Sequence, residues 1–190
     1  MYTHESIKTL FDKAGITLAV AESASAGNLS ALVASVVGAS TFFQGGVVAY
    51  SLRQKVSVLG VDEAHAASCN CVSDRVAREM AAGVRRLFGT DVGVSVTGYA
   101  QQHHARGVDV EVPFAWVGFD VRGHVWAERV ESPVAEWLDA GENRRQTQEE
   151  YAQVAGARLV DFLNHLAEGE VVSEGLRPLT DLLRRSAENA

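Results

Sequence analysis

The chain has 190 residues, 47% of them hydrophobic, which suits one domain with an ordinary core. Its formal net charge of −7 and pI of about 5.3 exclude a nonspecific nucleic-acid binder, which needs basic surface against phosphate. No run approaches the ~20 apolar residues that span a bilayer, and the N-terminus lacks the basic and apolar regions of a signal peptide, so a cytoplasmic protein without a membrane partner is expected.

Thr3 to Ala14 reads as a helix, with Ile7, Leu10, Phe11 and Ala14 on one face and Gly15 as its stop. The apolar run ITLAV (Ile16 to Val20) reads as a buried strand. The small-residue stretch AESASAGN (Ala21 to Asn28) then leads into a helix expected from Gly27 to Val37, ending at Gly38. GGVVAYS (Gly45 to Ser51) reads as a second strand, and Arg53 to Val58 as a short helix. From Asp74 to Phe88 the helix signal is strong: Val76, Met80, Val84 and Leu87 recur at helical spacing between an N-cap at Ser73 and a stop at Gly89. Asp91 to Thr97 is a third apolar strand, followed by a polar loop from Gly98 to Val112. PFAWVGFDV and HVWAERVE are two strands of a hairpin that turns at Arg122 and Gly123. Gln146 to Leu166 is a long amphipathic helix carrying Tyr151, Ala155, Leu159, Phe162 and Leu166 on its stripe, and the mixed charges of Glu142 to Glu150 read as its solvated start.

One domain is expected over residues 1–168, with a helical extension over 169–190 that holds a last helix from Pro178 to Ala187. This order of elements predicts an α/β fold, a three-layer α/β/α sandwich with a mixed sheet. In such sheets, sites gather at the carboxyl ends of strands. AESASAG, YSLRQK and TGYAQQHH each lie at such an end.

Ser23 and Ser25 admit two roles. Either hydroxyl can cap the helix that follows, and a serine at a helix start can also attack a carbonyl once a base takes its proton. Lys55, flanked by Val56, Val58 and Leu59, is a candidate base if buried, because burial disfavours the ammonium. His65, Cys69 and Cys71, with His103 and His104, are soft metal ligands, but H-x3-C-x-C matches no usual zinc spacing and no metal is expected. The two cysteines stand too close for an unstrained disulfide and are expected as small buried thiols. Gly98, just past a strand, suits a close backbone approach to a ligand.

Taken in order, AESASAG, GASTFFQGGVVAYSLRQKVSVLGV and VSDRVAREMAAGVRRLFGTDVGVSVTGYA, followed by the strand pair, resemble the C-terminal domain of the CinA (competence/damage-inducible) family from about Ile7 to Leu163. The resemblance implies an α/β/α amidohydrolase, free of metal and cofactor, that converts the carboxamide of nicotinamide mononucleotide to the acid and ammonia. It implies a serine–lysine pair, carried onto Ser23 as nucleophile and Lys55 as base, with Tyr50 as a further catalytic residue. Glu22, Ser25, Gly27, Ser51, Thr97 and Gly98 are the implied substrate-binding residues. Backbone N–H groups at the following helix start are expected to hold the oxyanion or phosphate. A small nucleotide or amide ligand and a homo-oligomer are expected.

The chain departs from the family pattern at Ala24, Ser25 and Ala26 for cysteine, threonine and glycine. Gln101 and Gln102 replace glycine and proline, Phe114, Ala115 and Trp116 replace small residues, and Thr147 stands where an arginine is expected near Arg144 and Arg145. These changes predict that nicotinamide mononucleotide binds weakly or not at all. They also sustain an alternative, a catalytically silent family member acting as a ligand-binding or interaction protein.

Overall fold

The computed structural model describes residues 4–105, 107–132 and 140–168. In chain order the elements are α1 (His4–Ala14), β1 (Leu18–Glu22), α2 (Asn28–Ala34), β2 (Phe43–Val48), α3 (Leu52–Leu59), α4 (Glu63–Ser68) and α5 (Asp74–Phe88). The second half holds β3 (Val92–Gly98), β4 (His103–Ala105), β5 (Val108–Val110), β6 (Phe114–Val121), β7 (His124–Glu131) and α6 (Ala140–Glu168).

Five strands form one mixed sheet in the order β2-β1-β3-β6-β7. β1 pairs in parallel with both β2 and β3, while β6 and β7 run antiparallel. Alternation along β1 splits the core between two faces. Leu18 and Val20 pack with Ile7, Phe11, Leu29, Tyr151 and Leu159 of α1, α2 and α6. Ala19 and Ala21 pack with Leu59, Ala66, Val76, Met80 and Val84 of α3, α4 and α5. Each such large apolar side chain, fully buried, contributes about 1.5–3 kcal/mol of transfer free energy. The three-layer α/β/α sandwich expected from the sequence is the observed fold.

Several boundaries differ from expectation for local reasons. β1 starts at Leu18 and runs on through Glu22, because Glu22 still pairs with Val48 on one side and Val96 on the other. α2 stops at Ala34 rather than Val37: tight bonds from Val36 N–H to Val33 and from Ala39 N–H to Val36 draw the chain into a 3-10 turn. The expected loop from Gly98 to Val112 contains the β4–β5 hairpin, with His104 opposite Asp109. α4 was not expected; Asp62 caps it by accepting the His65 N–H at 2.7 Å. α6 begins at Ala140, ahead of Gln146, and Arg145 ties its first turns by pairing with Glu142 and Glu149.

The β6–β7 turn is as expected, with Arg122 (φ 50°) and Gly123 (φ 97°) both left-handed, the pattern of a two-residue hairpin turn. Cys69 and Cys71 are free thiols and half-buried rather than fully buried. The expected helix from Pro178 to Ala187, and the extension that holds it, lie outside the described residues. No helix among the described residues is long and apolar enough to cross a membrane.

Candidate active site

A pocket of about 450 Å³ opens at the carboxyl ends of β1 and β3. Its wall comes from five places: Ser23 and Ala24 after β1; Tyr50, Ser51, Leu52 and Lys55 around the start of α3; Asn70 to Val72 before α5; Thr97 to Gln101 and His103 at and after the end of β3; and Arg144 of α6. Among the described residues no aspartate or glutamate lines it, although the chain as a whole is acidic.

Alternation at the end of β1 sends neighbouring residues to opposite faces. Glu22 follows Leu18 and Val20 toward α2, and Ser23 follows Ala19 and Ala21 toward α3. Lys55 waits on that side. α3 is capped at Ser51, whose side chain accepts the Gln54 N–H at 3.4 Å, and Lys55 lies one turn in, on the buried face with Leu59. Only 1% of Lys55 is exposed, and 8% of Ser23. Lys55 Nζ lies 2.8 Å from Ser23 Oγ and also donates to the carbonyls of Ala49 (3.0 Å) and Tyr50 (3.1 Å). Burial pushes the Lys55 pKa from the ordinary 10.5 down to about 8, against a smaller opposing influence from Cys71. Burial also pushes the Cys71 thiol up, which keeps it protonated at neutral pH. A serine hydroxyl and a lysine amine that burial leaves partly neutral therefore stand in hydrogen-bond contact at the pocket, the arrangement that nucleophilic catalysis needs.

The start of α2 is not open to a ligand. The fully buried Glu22 carboxylate fills it, accepting the N–H groups of Gly27 and Leu29 (both 2.9 Å) on Oε2. Its Oε1 accepts the N–H (2.7 Å) and hydroxyl (2.6 Å) of Ser30. The expected oxyanion or phosphate hole at this helix is thus occupied by the protein itself. Ser25 makes no cap. Its hydroxyl is buried without a partner among the described residues, the N-cap position is Gly27, and the Ser25 carbonyl accepts from Asn28. Glu22, Ser25 and Gly27 are absent from the pocket wall. Beside Ser23, the Ala24 N–H faces no acceptor among the described residues.

The rim is built by Tyr50, Gln101 and Arg144. Arg144 Nη2 donates to the Tyr50 hydroxyl at 2.6 Å and Nη1 to Gln101 Oε1 at 3.0 Å. Tyr50 thus meets Lys55 through its carbonyl and Arg144 through its phenol. Ser51 lies on the wall as well as capping α3, and the Thr97 hydroxyl donates to the Cys71 carbonyl at 2.8 Å. Gly98 is dictated by β6: a Cβ there would stand 2.3 Å from the Phe114 carbonyl oxygen. Of the bulky departures from the family pattern, only Gln101 reaches the wall; Gln102, Phe114 and Trp116 do not. Thr147 is buried, and Arg144 is the cation on this side of the pocket.

Asn70, Val72 and Tyr99 were not expected on the wall. Asn70 (φ 51°) and Cys71 (φ 62°) are both left-handed, a conformation that no residue pattern in NCVS announces. Tyr99 directly follows the T-G pair and was within reach of the sequence; its ring stacks on His103 at 5.1 Å. The soft ligands do not converge. His65 Nε2 meets Ser73 Oγ at 2.9 Å, and Cys69 Sγ donates to the His65 carbonyl. The one three-residue group of candidate metal ligands among the described residues is His104, Asp109 and Glu111, all exposed and off the pocket wall.

A family model described as the CinA C-terminal domain matches residues 2–163. The chain belongs to the CinA family. Among curated CinA relatives, it is 49% identical over 86 residues to a CinA-like protein of Rippkaea orientalis, covering 45% of this chain and 21% of that protein. It is 41% identical over 114 residues to a putative competence-damage inducible protein of Moorella thermoacetica, covering 60% and 27%. The chain therefore matches only about a quarter of the length of these CinA relatives. The fold matches the crystal structure of competence damage-inducible protein A (ComA) from Klebsiella pneumoniae with TM-score 0.74 and 25% identity, covering 85% of this chain and 95% of that one. The competence/damage inducible protein CihA from Agrobacterium tumefaciens matches with TM-score 0.64 at 24% identity, covering 85% and 93%.

Proposed function

We propose that this CinA-family chain is a metal-independent amidohydrolase of the nicotinamide-mononucleotide deamidase type, with Ser23 as nucleophile and Lys55 as base. The observation that carries this reading is the 2.8 Å contact between Ser23 Oγ and a Lys55 amine buried deeply enough to be neutral in part at pH 7. Neutral Lys55 takes the Ser23 proton as Oγ attacks the carboxamide carbon. The oxyanion that forms is met by the Ala24 N–H. The Lys55 ammonium then gives its proton to the departing nitrogen, ammonia leaves, and a water activated by Lys55 cleaves the Ser23 ester to the acid.

Arg144, with no carboxylate on the wall among the described residues, suits a substrate with an anionic group such as a phosphate. Gln101 and Tyr50 already engage both Nη atoms of Arg144, and this favours the second reading, a ligand-binding protein without turnover. The test is ammonia release by the purified protein with nicotinamide mononucleotide, beside nicotinamide and a panel of other amides. Release from the nucleotide supports the deamidase. Binding by calorimetry without ammonia from any amide supports the silent binder.

A further inference from the structure

We infer that Glu22, which lies off the pocket wall, is a positioning residue that holds the Ser23 nucleophile against Lys55; the inference rests on the amidohydrolase reading. Four features of the β1–α2 connection carry it. First, the backbone on either side of the Glu22–Ser23 bond is clamped to the sheet: Ala49 N–H donates to the Glu22 carbonyl and Ser23 N–H to the Val96 carbonyl, each at 2.9 Å. Second, the chain leaves Ser23 through two consecutive left-handed residues, Ala26 (φ 54°) and Gly27 (φ 102°). Alanine resists that conformation, so something must hold the turn. Third, the Glu22 side chain reaches over the turn and grips its far end by four hydrogen bonds of 2.6–2.9 Å, from Gly27 N–H, Leu29 N–H, Ser30 N–H and Ser30 Oγ. Fourth, Glu22 is fully buried, so no water replaces these donors' partner if the carboxylate is lost. Sheet and carboxylate thus fix the turn at both ends, with Ser23 and Ala24 between them.

Glu22→Gln tests this. The amide keeps the size of the side chain but, in either orientation, sets its NH2 against at least one of the backbone N–H groups of Gly27, Leu29 and Ser30, donor against donor. The turn then relaxes and Ser23 Oγ drifts from Lys55. Misplacement of a reacting group by about 1 Å costs on the order of a hundredfold in rate. Three readouts are taken well below the melting temperature: kcat for ammonia release, the rate of covalent labelling of Ser23 by a sulfonyl fluoride, and the NMR shift of the Lys55 ε-carbon, which reports the Ser23 contact whether or not the protein turns over. The expectation is a fall of roughly tenfold to a hundredfold in kcat and labelling, with KM little changed, and a moved Lys55 signal.

Ala26→Gly added to Glu22→Gln should recover part of the loss, because glycine adopts the left-handed turn without restraint, while Ala26→Gly alone changes the rates little. If Glu22→Gln does not fold, Ser30→Ala removes one of the four bonds and should give a smaller loss of the same kind, roughly fivefold or less. A folded Glu22→Gln protein that melts lower but labels at the unmodified rate, with the Lys55 signal unmoved, overturns the inference; so does a loss that Ala26→Gly fails to relieve. If the unmodified protein neither releases ammonia nor labels, the deamidase reading fails, and the Lys55 signal still decides the role of Glu22.

Discussion

The buried lysine makes the sharpest prediction. An ordinary lysine, with pKa 10.5, is neutral in about one molecule in 3,000 at pH 7, whereas a pKa of about 8 makes about one in ten neutral. The folded protein therefore supplies roughly 300 times more base than the same residue in water. If Lys55 is the base, kcat/KM rises about tenfold per pH unit below pH 7 and levels off above about pH 8. The same shift sets a stability effect. The folded-state pKa lies below the unfolded one, so between about pH 8 and 10.5 the unfolded chain binds more protons and stability rises with pH. Below pH 8 the burial cost is nearly in full force, at about 3 kcal/mol before the three hydrogen bonds of Nζ are set against it. Lys55→Met should therefore abolish ammonia release while raising stability at pH 7 by roughly 1–3 kcal/mol. Initial rates from pH 5.5 to 9.5, with urea melts of both proteins, measure this. A flat profile between pH 6 and 8, or a Lys55→Met protein that still turns over, refutes the assignment.

Three further outcomes are expected. Ser25→Ala removes a buried hydroxyl that has no partner among the described residues, so it should leave stability unchanged or raise it by up to about 1 kcal/mol; a loss of that size in urea unfolding would contradict this. Gly98→Ala drives a methyl into the β6 backbone and should cost about 2–3 kcal/mol, read as a lowered melting temperature, and an unchanged one contradicts the packing described for β3. Calorimetry with nicotinamide mononucleotide should show binding weakened about tenfold or more by Arg144→Gln and tightened several-fold by Gln101→Gly, which releases Nη1; equal affinities would remove Arg144 from ligand recognition.

The layers and the sheet were legible because periodicity is a local property. Val76, Met80 and Val84 announce α5, and Arg122-Gly123 announces the hairpin, with no knowledge of the rest of the chain. Ser23 and Lys55 were legible through the resemblance, since nothing in their spacing says that α3 turns Lys55 under β1. The role of Glu22 was hidden for a physical reason. A carboxylate before a serine-rich turn looks like a ligand to substrate, and only the extension of β1 through Ala21 and Glu22 turns it toward α2 instead. Ser25 was mistaken for a cap because that same carboxylate had already taken the donors. The strands of the β4–β5 hairpin are only three residues each, too short for an alternating pattern to announce them, and Arg144 became a rim residue only because α6 starts earlier than its apolar stripe.

The central claim is that Ser23 attacks an amide with Lys55 as its base, and ammonia release by the unmodified protein beside Ser23→Ala tests it most directly. The assay uses nicotinamide mononucleotide at pH 8, with circular dichroism to show that both proteins are folded. The account predicts steady release by the unmodified protein and none above background for Ser23→Ala. A folded Ser23→Ala protein that releases ammonia at the unmodified rate contradicts it.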